Sequence, residues 1–170
     1  WQDLQKVKKL HREPKSPQQV EAALQSYARD VPTGALLLSV IGGKMSEGIN
    51  FSNDMARCVV VVGLPYPDIT DPELKEKMTN MDQAVEKSIT GQAYYQNLCM
   101  RAVNQSVGRA IRHANDYAAI VLVDQRYQTD SRIWSGLPSW LKKGAAQNWR
   151  QQVSFDTRQQ ELKTFFDGRK

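Results

Sequence analysis

Two short constellations in this chain carry residue types able to hold an anion. The first is "GGKMSEGINFS" (42–52), in which Gly42 and Gly43 stand side by side just before Lys44, Ser46, Glu47, Gly48 and Asn50. The glycines let the backbone turn sharply and come close to a partner, while Lys44, Ser46 and Asn50 can meet phosphate oxygens. A glycine-rich turn with ordinary polar decoration is the competing reading. The segment is not the phosphate cradle G-x-x-x-x-G-K-[ST], because Leu38 stands where its first glycine belongs and Met45 follows Lys44. The chain therefore lacks the main triphosphate-binding element.

The second constellation is "QSVGRAIRH" (105–113). At about 100° per residue, Cys99, Val103, Val107, Ala110 and Ile111 share one face of a helix, and Arg101, Gln105, Arg109 and Arg112 share the opposite one. One face reads as core and the other as a ladder of guanidinium groups. Solvated arginines on helices are common, so a plain basic surface competes with the functional reading. Gln105 with arginines at i+4 and i+7, and Gly108 allowing close approach, suits an anion met across a domain interface. Arginine forks bind phosphates bidentately and stabilise charge on a transferring phosphoryl group.

Both constellations need elements to hold them. Ser16, Pro17 and Gln19 read as a capping-box start, and Val20, Ala23, Leu24, Tyr27 and Ala28 then recur at helical spacing, so a helix is expected to run to about Asp30 before Pro32. Three apolar runs follow, "ALLLSVI" (35–41), "CVVVVGL" (58–64) and "AAIVLVD" (118–124). None alternates, and strands apolar on both faces are what a parallel sheet covered by helices requires. Helices are expected between the second and third runs, one opened by Thr70 and Glu73 and running to about Ser88, the next from about Gly91 to Arg112. After Asp124, "RYQTDSRIWSGLPSWLKKG" reads as a loop with short helical turns anchored by Trp134 and Trp140. The last segment, "DTRQQELKTFFDG", reads as a helix turning Leu162, Phe165 and Phe166 inward. The fold class is α/β.

Composition bounds the rest. With 170 residues, 41% of them hydrophobic, the chain can bury one ordinary core, so a single domain over 1–170 is expected. Its parts would be a helical lead-in (1–32), a core carrying both constellations (33–143) and a C-terminal helical extension (144–170). No apolar run approaches the roughly 20 residues that span a membrane, so a soluble chain with no membrane partner is expected. Cys58 and Cys99, each in an apolar setting, read as reduced core cysteines rather than a disulfide or metal ligands, and no metal site is assigned. A net charge of +5 suits a polyanionic partner. The basic residues of "KVKKLHR" (6–12) sit at helical spacing and read as a solvated helix face.

"SEGINFS" followed some way on by "NQSVGRAIRH" resembles motifs V and VI of the superfamily 2 DNA helicases of the XPD and FANCJ kind, which carry an iron–sulfur cluster. "VVVVGLPYP", "NLCMRAVNQS", "IVLVDQRY" and "LPSWLKK" are similar to the Chl-type, cohesion-linked branch of that family. The likeness runs from about Thr33 to Lys143. It implies the second RecA-like motor domain of a 5′-to-3′ DNA helicase, a three-layer domain whose mainly parallel sheet is covered by helices on both faces.

By that resemblance, ATP and Mg2+ would sit between two motor domains, with Gln105, Arg109 and Arg112 matching motif VI and the two arginines aimed at the γ-phosphate. Glu47 and Gly48 match the part of motif V nearest the nucleotide, and Lys44 and Ser46 lie where the family couples this loop to the DNA backbone. Asn50 stands where several relatives have aspartate and receives no role. The implied partners are single-stranded or forked DNA, a first motor domain of the same protein, and replication and cohesion factors, in the nucleus. Without a Walker loop, an acidic box or a cysteine quartet, the chain is expected to be a part of such an enzyme, unable to hydrolyse ATP unaided, with the iron–sulfur cluster in the missing part. The alternative is a non-catalytic nucleic-acid or protein interaction module that has kept the motor fold. The spacing of Gln105, Arg109 and Arg112 argues against it, since such a module has no need of it.

Overall fold

The structure, a computed structural model, describes residues 2–45, 51, 53–84, 89–111, 113, 116–145 and 154–169. Its contacts divide the chain into two compact units, one made of 1–57 and 105–118, the other of 58–104 and 119–170. Each contains a pair of parallel strands, so the α/β class with parallel pairing read from the apolar runs is what the chain adopts.

In the first unit, helix α1 (Gln2–Gln5) leads into strand β1 (Lys9–Arg12), a 3-10 turn (Pro17–Gln19) into helix α2 (Val20–Asp30), and strand β2 (Ala35–Leu38) follows. β1 and β2 pair in parallel with Leu10 opposite Leu36, and α2 is the crossover that parallel strands require. The helix face expected for "KVKKLHR" is thus corrected: residues 9–12 are a strand. The reason lies far along the chain. In a strand, residues two apart point the same way, so Lys9 and His11 both reach Asp30 at the end of α2, at 2.8 and 3.2 Å. The hydrogen bond from Lys9 holds the Asp30 carboxyl below its usual range. Pairing with β2 and this shared carboxylate outweigh a weak local preference.

The end of α2 falls at Asp30 as expected, but its start is not a capping box. The Ser16 hydroxyl turns to the Gln18 side chain instead of a backbone N–H, and the first turn is 3-10. Tyr27 is the buried anchor of α2; its hydroxyl donates to the Met55 carbonyl at 2.7 Å, and its ring meets His11 and Phe51 edge-on.

In the second unit, strand β3 (Cys58–Val62) pairs in parallel with strand β4 (Ala119–Val123), Cys58 opposite Ala119 and Val62 opposite Val123. Helix α3 (Pro72–Gln83) and helix α4 (Gly91–Val107) lie between them in sequence. Asp71, not Thr70, caps α3 by accepting from the Leu74 N–H at 2.9 Å, while Thr70 bonds back to Asp68. α3 ends five residues before the expected Ser88, which lies outside the described residues. Gly91 opens α4 where a Cβ would come within 2.6 Å of the Met78 carbonyl oxygen, so the close approach of α3 selects glycine there.

Among the described residues, Val61 is the buried position of β3, while Val60, Val62 and Val123 are exposed. Two further expectations are corrected. Cys58 is exposed at the start of that strand; only Cys99 is a core cysteine, its thiol pushed up to about 11 by burial. After β4, helices α5 (Arg126–Thr129), α6 (Ser131–Ser135) and α7 (Ser139–Gly144) are the expected short turns, yet Tyr127, Ile133 and Leu137 anchor them. Of the two tryptophans expected to anchor them, Trp134 is half-buried and Trp140 is 42% exposed. Helix α8 (Phe155–Asp167), capped by Ser154, closes the chain with Leu162, Phe165 and Phe166 half-buried.

Candidate functional site

The loop after β2 sits at the carboxyl end of a parallel strand, the end beyond which ligands of α/β folds bind. Lys44 is exposed on it, and the next residue, Met45, is 2% exposed. Phe51, where the described chain resumes, is half-buried and meets the Tyr27 ring edge-on. Gly42 has a φ of +80°, the left-handed turn that favours glycine. Ser46, Glu47, Gly48 and Asn50 lie outside the described residues.

The two-faced reading of the arginine helix holds through α4. Cys99, Val103 and Val107 are fully buried and Ala110 is 1% exposed, while Arg101 and Gln105 face solvent. Beyond Val107 the regular spacing stops. Residues 108–110 form a turn in which the Arg109 N–H reaches the Ser106 carbonyl at 3.4 Å and the Ala110 N–H reaches that of Val107 at 3.1 Å. Arg109 is therefore not on a continuous helical ladder, and Ile111, assigned to the core face, is 36% exposed. Gly108 stands where the helix stops, and glycine favours helix continuation less than any residue but proline. Arg112 lies outside the described residues.

Lys44, Gln105 and Arg109 all belong to the first compact unit. Inside it, Arg57 joins the chain that follows the first constellation to the chain that follows the second. One Nη of Arg57 donates to the Asp116 carboxylate at 2.6 Å and to the Tyr117 carbonyl at 2.7 Å, Nε reaches Asp54 at 3.1 Å, and the guanidinium lies 4.2 Å from the Tyr117 ring centre. The Asp116 side chain is 1% exposed. Burial alone would lower the Arg57 pKa, but the hydrogen bonds to Asp116 and Asp54 raise it. The sequence offered no signal for this link, whose partners lie about sixty positions apart.

Glu13 is the other residue missed. It follows β1, its N–H continues the ladder to the Leu38 carbonyl at 2.8 Å, and its carboxylate accepts from the backbone N–H groups of Val40 at 2.9 Å and Lys44 at 2.6 Å. In the second unit, Asn104 Nδ2 donates to the Gly136 carbonyl at 2.9 Å, tying α4 to the turn after α6; its Oδ1 is buried with no partner among the described residues.

The described donor set has one character. Lys44, Gln105 and Arg109 bring cations and amide donors, which fit anionic oxygens. No group of three His, Cys, Asp or Glu side chains among the described residues is arranged to hold a metal ion. No helix among them is long and apolar enough to cross a membrane.

Residues 1–144 match the family model described as the helicase C-terminal domain. Among curated proteins, the chain is 51% identical over 148 residues to the ATP-dependent DNA helicase DDX11 of Mus musculus, covering 79% of this chain and 16% of that protein. It is 50% identical over 153 residues to DDX11 of Danio rerio, covering 83% and 17%. Against the ATP-dependent DNA helicase CHL1 of Scheffersomyces stipitis it is 48% identical over 151 residues, covering 82% and 18%. The chain spans about a sixth of the length of these relatives.

Proposed function

Because the chain belongs to the helicase C-terminal domain family, we propose that it is the second motor domain of an ATP-dependent 5′-to-3′ DNA helicase, acting with a first motor domain that supplies the Walker loop and the acidic residues for magnesium. The observation that carries this reading is the family match across 1–144, reinforced by relatives whose names describe ATP-dependent DNA helicases. The guanidinium of Arg109 and the amide NH2 of Gln105 can donate to the nucleotide's anionic oxygens, and neither residue is a carboxylate of the kind that holds Mg2+, which supports a polyphosphate site completed elsewhere.

In this reading Arg109 and Arg112 face the γ-phosphate of ATP across the domain interface, Gln105 belongs to the same motif, and Glu47 and Gly48 lie nearest the nucleotide. Lys44 and Ser46 meet the backbone of single-stranded or forked DNA. Closure of the two domains brings the arginines to the phosphate, and they act most strongly as charge spreads over the transferring group. An iron–sulfur cluster, a nuclear location and work with replication and cohesion factors complete the proposal, by likeness to the Chl-type branch.

The test is ATP hydrolysis by the complete protein with and without single-stranded DNA. Strong stimulation by DNA is expected, whereas this chain alone should bind ATP weakly and show no turnover. DNA-independent binding without hydrolysis by the complete protein would instead identify an interaction module.

A prediction follows for the exposed lysine. In the complete protein, Lys44→Ala should weaken single-stranded DNA binding with little sequence dependence and lower the salt slope by about 0.7 for each phosphate that is no longer neutralised. Titrations of a fluorescent oligothymidylate at several salt concentrations measure this. An unchanged slope would make the lysine merely solvated.

A further inference from the structure

The Glu13 carboxylate occupies the turn after β2 as a bound anion would, with one N–H pointing at it from each side, that of Val40 and that of Lys44. These bonds cross 27 and 31 positions of sequence, so they fix the turn to the end of the neighbouring strand rather than to itself. Gly43 lies between the two donors. The left-handed glycines among the described residues are Gly34, Gly42 and Gly63, so Gly43 is not required by its φ. What it provides is room: a Cβ there would run into both oxygens of the Glu13 carboxylate.

We propose that Glu13 is the positioning residue of the Lys44 turn, setting the backbone from which Lys44 is presented to nucleic acid. This rests on the reading of Lys44 as a DNA-backbone contact. Ionised carboxylates accepting from backbone N–H groups make hydrogen bonds about twice as strong as neutral ones, enough to select one conformation of a glycine-containing turn. Glu13 does this with a charge of the same sign as the phosphates, and that gives the test its sharpness. If Glu13 were only a surface acid near the DNA path, removing its charge would relieve repulsion and tighten binding. A positioning residue predicts the opposite sign.

The experiment compares Glu13→Gln, Gly43→Ala and the double variant in the complete helicase, reading the affinity and salt slope of a fluorescent oligothymidylate alongside the melting temperature. Glu13→Gln keeps one carbonyl oxygen and loses the second acceptor, so binding should weaken by about tenfold, the equivalent of one charge-assisted hydrogen bond, with melting nearly unchanged. Gly43→Ala, which expels the carboxylate from the other side, should reproduce the loss, and the double variant should lose no more than either single one. Unchanged or tighter binding in Glu13→Gln, or additive losses in the double variant, would overturn the assignment. The two readings fail separately: if Lys44→Ala weakens binding while Glu13→Gln does not, only the positioning role is lost. If Lys44→Ala has no effect, the DNA contact itself is wrong, and the role of Glu13 falls with it.

Discussion

Under the proposed motor function, Arg112→Ala in the complete protein is expected to cut DNA-stimulated ATP hydrolysis by on the order of 10³-fold or more while leaving ATP binding nearly intact. An arginine that reaches the γ-phosphate across a domain interface acts mainly in the transition state, where negative charge spreads over the transferred group. Its loss should therefore appear in kcat and hardly in KM. Arg112→Lys should fail almost as badly, because an ammonium keeps the charge but not the planar fork. Arg101, exposed on α4 more than a turn before Gln105, is the internal control and should tolerate alanine. Steady-state kinetics on the variants measure all of this. Near-normal hydrolysis by Arg112→Lys, or an equal loss in Arg101→Ala, would make the arginines a general basic face.

The second large effect concerns stability. Arg57→Ala should destabilise the protein by about 3 kcal/mol, because it removes the guanidinium from which the buried Asp116 carboxylate accepts. The same change removes a donor to the Tyr117 carbonyl and the guanidinium stacked on the Tyr117 ring. Arg57→Lys should restore part of the loss, since a single ammonium can meet Asp116 but not Asp54 and Tyr117 together. Chemical denaturation of the full chain measures the difference. A loss below about 1 kcal/mol would place this pair with ordinary surface salt bridges, which its 1% exposed aspartate argues against. Because Arg57 joins the chain flanking both constellations, the folded variant should also hydrolyse ATP more slowly.

Much was legible locally. Helical spacing over Val20–Ala28 located α2 and its end, and three apolar runs located β2, β3 and β4 and the parallel pairing of β3 with β4, but not β2's partner β1. The buried face of α4 followed from one-residue geometry, as Cys99, Val103 and Val107 demonstrate. Misreadings arose where a local pattern had two outcomes of similar energy. "KVKKLHR" can be a helix face or a strand, and Ser16 can cap a helix or bond its neighbour, so distant partners made the choice.

The sequence by itself determined the α/β class, the order of most of the elements and the family to which its motifs point. These are properties of periodicity and residue type, which act over a few positions and survive any particular packing. Only the tertiary structure decided that residues 9–12 pair with β2, that Cys58 is exposed while Cys99 is buried, that Glu13 fills the turn beside Lys44, and that Arg57 is bound to Asp116. Each of these depends on hydrogen bonding or burial set by groups remote in sequence. A carboxylate that accepts from a backbone N–H leaves no trace in the residue type of its partner, because every residue except proline offers the same donor.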